Sequence, residues 1–251
     1  DPPKTDWRAV SWPRQLGLDG QRGLAVGFGW NARCGLWRAH ARAQAAGLAL
    51  ADLAARVQAL SPGRPLHVIA HSMGARVALA ALTAAQPGQF GRLILLAGAE
   101  TRTVAAAALC SPAGRSAEVV NVTTRENDLF DALFEWGVHL GRTTAIGQGM
   151  AQAAPPEGWR DLWIDHPATQ ADLAAMGFAL MPPTRRICHW SPYLRTGCLP
   201  LYRALIDGSL SPADLPRHLP GRRWSRLLAP ARPRTGALRP AGPSPWPAPA
   251  P

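Results

Sequence analysis

Lysine is all but missing from this chain: of its 27 basic side chains only Lys4 is not arginine. With the abundance of Ala, Gly and Pro, that reads as the codon usage of a GC-rich genome. The net charge of +11 invites a nucleic-acid reading, but its distribution argues against one. Residues 1–202 hold 19 basic and 14 acidic side chains, whereas 203–251 hold 8 arginines against 2 aspartates. The excess is concentrated at the C-terminal end, where a solvated tail is the simplest account. No zinc-finger spacing or RNA-recognition signature accompanies it, so no nucleic-acid partner is expected. Binding to an anionic surface through that end is the competing expectation, and strong salt dependence would mark it.

Cysteine is scarce and unpatterned. Cys34, Cys110, Cys188 and Cys198 include no Cys-x-x-Cys pair. No secretory pattern is present either, so reduced thiols in a cytoplasmic protein are expected, none of them a candidate nucleophile. A run of 18 apolar residues is also lacking, so no transmembrane helix is expected. No group of metal ligands and no glycine-rich dinucleotide loop stands out, which leaves no cofactor and no metal to expect. The opening "DPPKTDWRAV" has no initiator methionine, and the sequence is read as beginning partway into a longer product.

What is present is a chain of 251 residues, 47% hydrophobic, enough to bury one sizeable core. Short β-like runs alternate with helical ones. Residues 7–12 read as a strand ended by Pro13, and 14–36 as a glycine-rich loop with a brief strand in 23–31. A helix over 37–60 has its apolar spacing at Leu48, Leu50, Leu53, Val57 and Leu60. Apolar strands are predicted at 65–71, 91–98 and 117–124, and helices at 73–86, 128–141, 168–176 and 200–208. The segment 142–187 reads as irregular, a cap or an insertion. The Pro/Ala/Arg-rich stretch 229–251 is expected to be disordered, leaving 1–228 as the domain. The alternation implies an α/β class, a mostly parallel sheet flanked by helices on both faces.

The stretch "HVIAHSMGARVALAAL" (67–82) carries the functional signal. An apolar strand ends at His71, and a helix opens directly after Ser72. Ala70 and Gly74, two positions to either side of the serine, are small enough for a sharp strand-to-helix turn. Ser61 has the same small neighbours but leaves a helix and precedes Pro62. A plain helix cap at Ser72 would need neither the small pair nor the strand. Ser72 is therefore the candidate nucleophile, with the Met73 N–H placed to stabilise an oxyanion.

This stretch resembles the nucleophile elbow of the α/β-hydrolase superfamily, especially its AHSMG-type bacterial serine hydrolases. "VSWP" (10–13) resembles a strand end found ahead of that elbow in the same group. The resemblance covers roughly 7–208. It implies an α/β-hydrolase fold and the chain order serine, acid, histidine. The acid is sought after the strand at 117–124, where "RENDLFD" offers Glu126, Asp128 and Asp131. Asp128, at the end of the turn into the next helix, is the favoured choice. Among seven histidines, His189 in "RRICHWSPYL" matches the family's position best, with His166 as the alternative. His71 is expected to point away from the serine.

The implied chemistry is acyl transfer from a small carboxylic ester or related acyl substrate, carboxylesterase- or lipase-like, through Ser72, His189 and Asp128. The second oxyanion donor is expected either upstream of Asp1 or at the Phe28 N–H within "GFGWN". Trp190 and Tyr193, flanking His189, are candidate substrate-pocket walls. Two alternatives use the same residues differently: an impaired hydrolase-fold binding or scaffold protein, and an acyltransferase.

Overall fold

The computed structural model describes residues 10–18, 20–21, 23–150 and 156–228. Its centre is a four-stranded sheet of β1 (Leu66–His71), β2 (Phe90–Leu96), β3 (Glu118–Thr123) and β4 (Trp159–Trp163). Strand order in the sheet follows the chain, β1-β2-β3-β4, and every pairing is parallel. The fold is α/β.

Alternate residues of β2 enter two different cores. Leu93 and Leu95 join residues of α2 (Leu36–Leu60), α3 (Gly74–Ala84) and α4 (Arg102–Cys110). Ile94 and Leu96 join residues of α6 (Pro167–Ala175), α7 (Ser191–Leu194) and α8 (Cys198–Asp207). All four are completely buried, each stabilising the fold by about 1.5–3 kcal/mol. Strands buried in this way need no polar face, which is why they read as continuous apolar runs.

Helix α2 buries a different stripe from the one its leucines suggest. Its buried residues are Ala39, Ala43, Gly47, Leu50, Ala51 and Ala54, while Leu48 and Leu60 are exposed. The reason is close approach to α3: a Cβ on Gly47 would lie 2.5 Å from Ala80 Cβ and 2.8 Å from the Val77 carbonyl. At position 47 there is no room for a side chain.

Three expectations are corrected. Trp12–Gln15 forms a short helix, α1, where a strand ending at Pro13 was expected, and residues 7–9 lie outside the described residues. Proline supplies no N–H and has its φ set for a first helical turn, so Pro13 starts a helix here. Residues 23–35 contain no strand. Within the supposedly irregular 142–187, residues 159–163 form β4, beside β3. The tail 229–251 lies outside the described residues. Among the described residues, no helix is long and apolar enough to cross a membrane.

Candidate active site

The carboxyl end of a parallel sheet is where successive strand-to-helix connections converge, and Ser72 sits there between β1 and α3. Its φ is +56°, a left-handed conformation that costs a non-glycine residue roughly 1–2 kcal/mol. The turn is held in that shape from the neighbouring strand. Ser72 N–H donates to Leu96 O at 2.9 Å, and Ser72 O accepts from Ala75 N and Ala99 N at 3.0 and 2.9 Å. Ala97, at the end of β2, is also left-handed, with φ +45°. A Cβ at Gly74 would lie 3.5 Å from Ala70 Cβ, an ordinary van der Waals contact, so the expected steric need for glycine there is not seen. Met73 caps α3 without a side-chain bond, and its N–H has no acceptor among the described residues.

His189 is brought to this edge by the loop before α7, and Glu126 fastens that loop. Its carbonyl accepts from Cys188 N at 2.9 Å. Its carboxylate accepts from Arg185 N at 3.1 Å and pairs with Arg195 at 2.6 Å, both side chains of that pair buried. His71 completes the docking, its Nε2 lying 2.9 Å from the His189 carbonyl oxygen. The two imidazoles have ring centroids 4.5 Å apart, and Phe130 stacks on His189 at the same separation. His71 thus serves as the contact between the elbow and the loop. Among the described residues, Ser72 Oγ and His189 share no hydrogen bond. Catalytic hydrogen bonds often tighten only when substrate is bound.

The partner of His189 is Asn127, where Asp128 was expected. His189 Nδ1 lies 2.7 Å from Asn127 Oδ1. The amide is oriented from behind, because Asn127 Nδ2 donates to Asp131 Oδ1 at 2.8 Å. With Nδ2 engaged by Asp131, it is the amide oxygen that faces the imidazole. Nδ1 then carries the proton and Nε2 keeps its lone pair, the tautomer required of a base.

Asp128 is occupied elsewhere. Its carboxylate accepts from Arg125 Nη1 at 2.8 Å, from Trp224 N at 2.7 Å and from Gln148 Nε2 at 3.2 Å. All three acids of "RENDLFD" are therefore placed, with Glu126 on the loop, Asp128 on Arg125 and Asp131 behind Asn127. Helix α5 (Asp128–His139) turns its acids inward, since Asp128, Asp131 and Glu135 are buried while Leu133 and Trp136 are exposed.

Burial, with the neighbouring His71, pulls the pKa of His189 down to about 3. Burial next to Asp128 pushes Asp131 up to about 7, against the pull of Arg125. Burial also raises Asp128, again opposed by Arg125. The neutral Asn127 amide offers His189 no negative charge to offset desolvation.

The other sequence candidates separate clearly. The Tyr193 ring is buried, edge-on to His71 at 5.1 Å and against Trp12 at 5.3 Å. Trp190 is half-buried beside Phe130 and His189. Phe28 packs its ring against the α2/α3 core. His166 stacks on His218 instead of approaching the elbow. Sequence reasoning missed Asn127, because it searched for an acid, and His71, because adjacency to the serine argued it away.

Comparisons with protein-family models, with curated proteins and with solved structures gave no match.

Proposed function

We propose that the chain is a serine hydrolase acting on an ester or related acyl substrate, built on an α/β-hydrolase-type fold with helices on both faces of the sheet. The observation that carries this reading is the left-handed Ser72, strained in the two-residue link between a parallel strand and the helix that follows it. The split of Leu93 and Leu95 from Ile94 and Leu96 between two cores supports the layering.

In this reading Ser72 Oγ attacks the acyl carbon, and His189 Nε2 takes its proton. Asn127 holds the imidazole in its reactive tautomer, as the asparagine does in cysteine–histidine–asparagine sites. The Met73 N–H stabilises the tetrahedral oxyanion, and loss of such a donor costs on the order of 3 kcal/mol. The imidazolium then protonates the leaving group, and water releases the acyl group by the reverse sequence.

The neutral partner and the depressed pKa of His189 make it a weak base, which favours a second reading of slow turnover or of acyl binding without turnover. A fluorophosphonate that phosphonylates activated serines tests both. Labelling that disappears in Ser72→Ala establishes the nucleophile, and ester turnover by the same sample separates an enzyme from a binder. Absence of labelling in a folded chain would overturn the hydrolase reading.

A further inference from the structure

A second group of chemistry-bearing side chains lies where α2, α5 and the connection after β2 meet, beginning one residue beyond the Ala99 N–H that bonds Ser72 O. His40 comes from the second turn of α2, His139 is the last residue of α5, and Glu100 precedes the Thr101 cap of α4. One ligating atom from each lies within 4.8 Å of the other two. The imidazoles meet edge to face with centroids 5.6 Å apart.

The polar atoms there are not satisfied by the protein. His40 Nε2 and His139 Nε2 are both shut off from solvent, and neither has a hydrogen-bond partner. A buried unpaired polar atom costs about 1–3 kcal/mol, and finding two of them beside a fully buried carboxylate is unusual. Burial, Arg76 and His139 lower the pKa of His40 to about 4, so its ring is neutral at pH 7 and has a lone pair to offer.

We propose that His40, Glu100 and His139 form a binding site for a zinc-class divalent cation. Two imidazole nitrogens and one carboxylate oxygen are a donor set that suits zinc and leaves a fourth position open. Zinc–ligand bonds of about 2.0–2.2 Å put tetrahedral donors roughly 3.3–3.6 Å apart. The side chains therefore close by no more than about 1.5 Å.

The resident arginine shapes the site. Arg76 Nη1 pairs with Glu100 Oε2 at 2.5 Å, and Arg76 Nε donates to the His40 carbonyl at 2.9 Å. Glu100 Oε1 accepts from Thr101 N at 2.7 Å. Each carboxylate oxygen still has a lone pair to give. Because Arg76 already balances Glu100, a dication leaves the cluster net positive, which favours hydroxide or another anion as the fourth ligand. Bound metal would fasten α2 and α5 to the start of α4, whichever function Ser72 serves.

The test is zinc titration by calorimetry of the full chain at pH 7 after EDTA treatment and dialysis, alongside His40→Gln and His139→Gln, each checked for folding by circular dichroism. The expected result is one site per chain in the wild type, weakened at least tenfold in either variant. No binding by the wild type, or unchanged binding in both variants, overturns the proposal. Co²⁺ replacement in the wild type covers the case in which both variants unfold. Tetrahedral d–d bands without thiolate-to-metal charge transfer support the site. Absence of those bands, or a thiolate band pointing to the free cysteines, overturns it.

Discussion

Replacing Asn127 by alanine tests the arrangement around His189 more directly than replacing either neighbouring acid. The substitution removes the acceptor 2.7 Å from His189 Nδ1 and leaves Asp131 Oδ1 without its donor at 2.8 Å. On the mechanism proposed above, the imidazole becomes charged as Ser72 reacts, and a hydrogen bond to a charged group contributes about 1.5–3 kcal/mol. At 1.36 kcal/mol per decade, that is about a 10- to 150-fold slower reaction with fluorophosphonate. The unpaired Asp131 Oδ1 adds about 1–3 kcal/mol of destabilisation although Oδ2 keeps its bond from Gln148, and this is visible as a lower melting temperature in the same preparation. The control is Asp128→Asn, which disturbs the Arg125 contact but leaves His189 Nδ1 untouched. Its labelling rate per folded molecule should match the wild type. Folded Asn127→Ala labelling within twofold of wild type, or a slow Asp128→Asn, would refute the assignment of Asn127 as the residue that orients the base.

Arg125→Met leaves the buried Asp128 without its cation and should cost about 3–5 kcal/mol in chemical denaturation, with Arg125→Met/Asp128→Asn recovering a substantial part. Gly47→Ala forces a methyl against Ala80 and the Val77 carbonyl. Overpacking of about 1–3 kcal/mol, less about 1 kcal/mol of helix propensity, gives a net loss of up to about 2 kcal/mol and a melting temperature lower by up to about 8 °C. The pH dependence of stability follows from His189, whose pKa falls from 6.5 unfolded to about 3 folded. Between those values the unfolded chain binds the extra proton, so the stability present above pH 6.5 is lost as pH falls toward 3. His189→Gln should therefore lose less melting temperature than wild type between pH 7 and pH 4.5. An equal loss in both proteins would exclude His189 as a source of the acid sensitivity.

The elements legible in the sequence were those whose signal is local. β1 and α3 are separated only by Ser72 and Met73, with a run of apolar residues before that link and small ones after it, and the left-handed residue is Ser72. β4 was hidden because "WRDLW" carries two charges mid-strand. Asp161 is made tolerable there by bonds from Asn121 Nδ2, Trp159 Nε1 and Met150 N, which no periodicity reveals. α4 was passed over, since "RTVAAAALC" has no amphipathic contrast beyond its alanines. In α2, large side chains drew the attention while close helix contact selected the small ones. At the candidate site, Ser72 and His189 were chosen from position, and the partner of His189 was sought among acids, whereas the residue at hydrogen-bond distance is Asn127. Asn127 and Asp128 are adjacent at the junction of a 3₁₀ turn and a helix, and only the backbone path there decides which of the two side chains reaches the imidazole.

Strand order has a consequence for how the protein is made. In an all-parallel sheet ordered β1-β2-β3-β4, each strand leaving the ribosome finds its partner already synthesised, and no strand must later be inserted between two others. The sheet can grow in one direction as the chain emerges, which keeps unpaired edges short-lived. The elbow is covalently complete early, but the segment bearing His189 follows all four strands and docks onto Glu126 and His71 only after them. On the reading proposed for Ser72, a nascent chain holds its serine inert, and reactivity arrives only with the loop that also closes the second core.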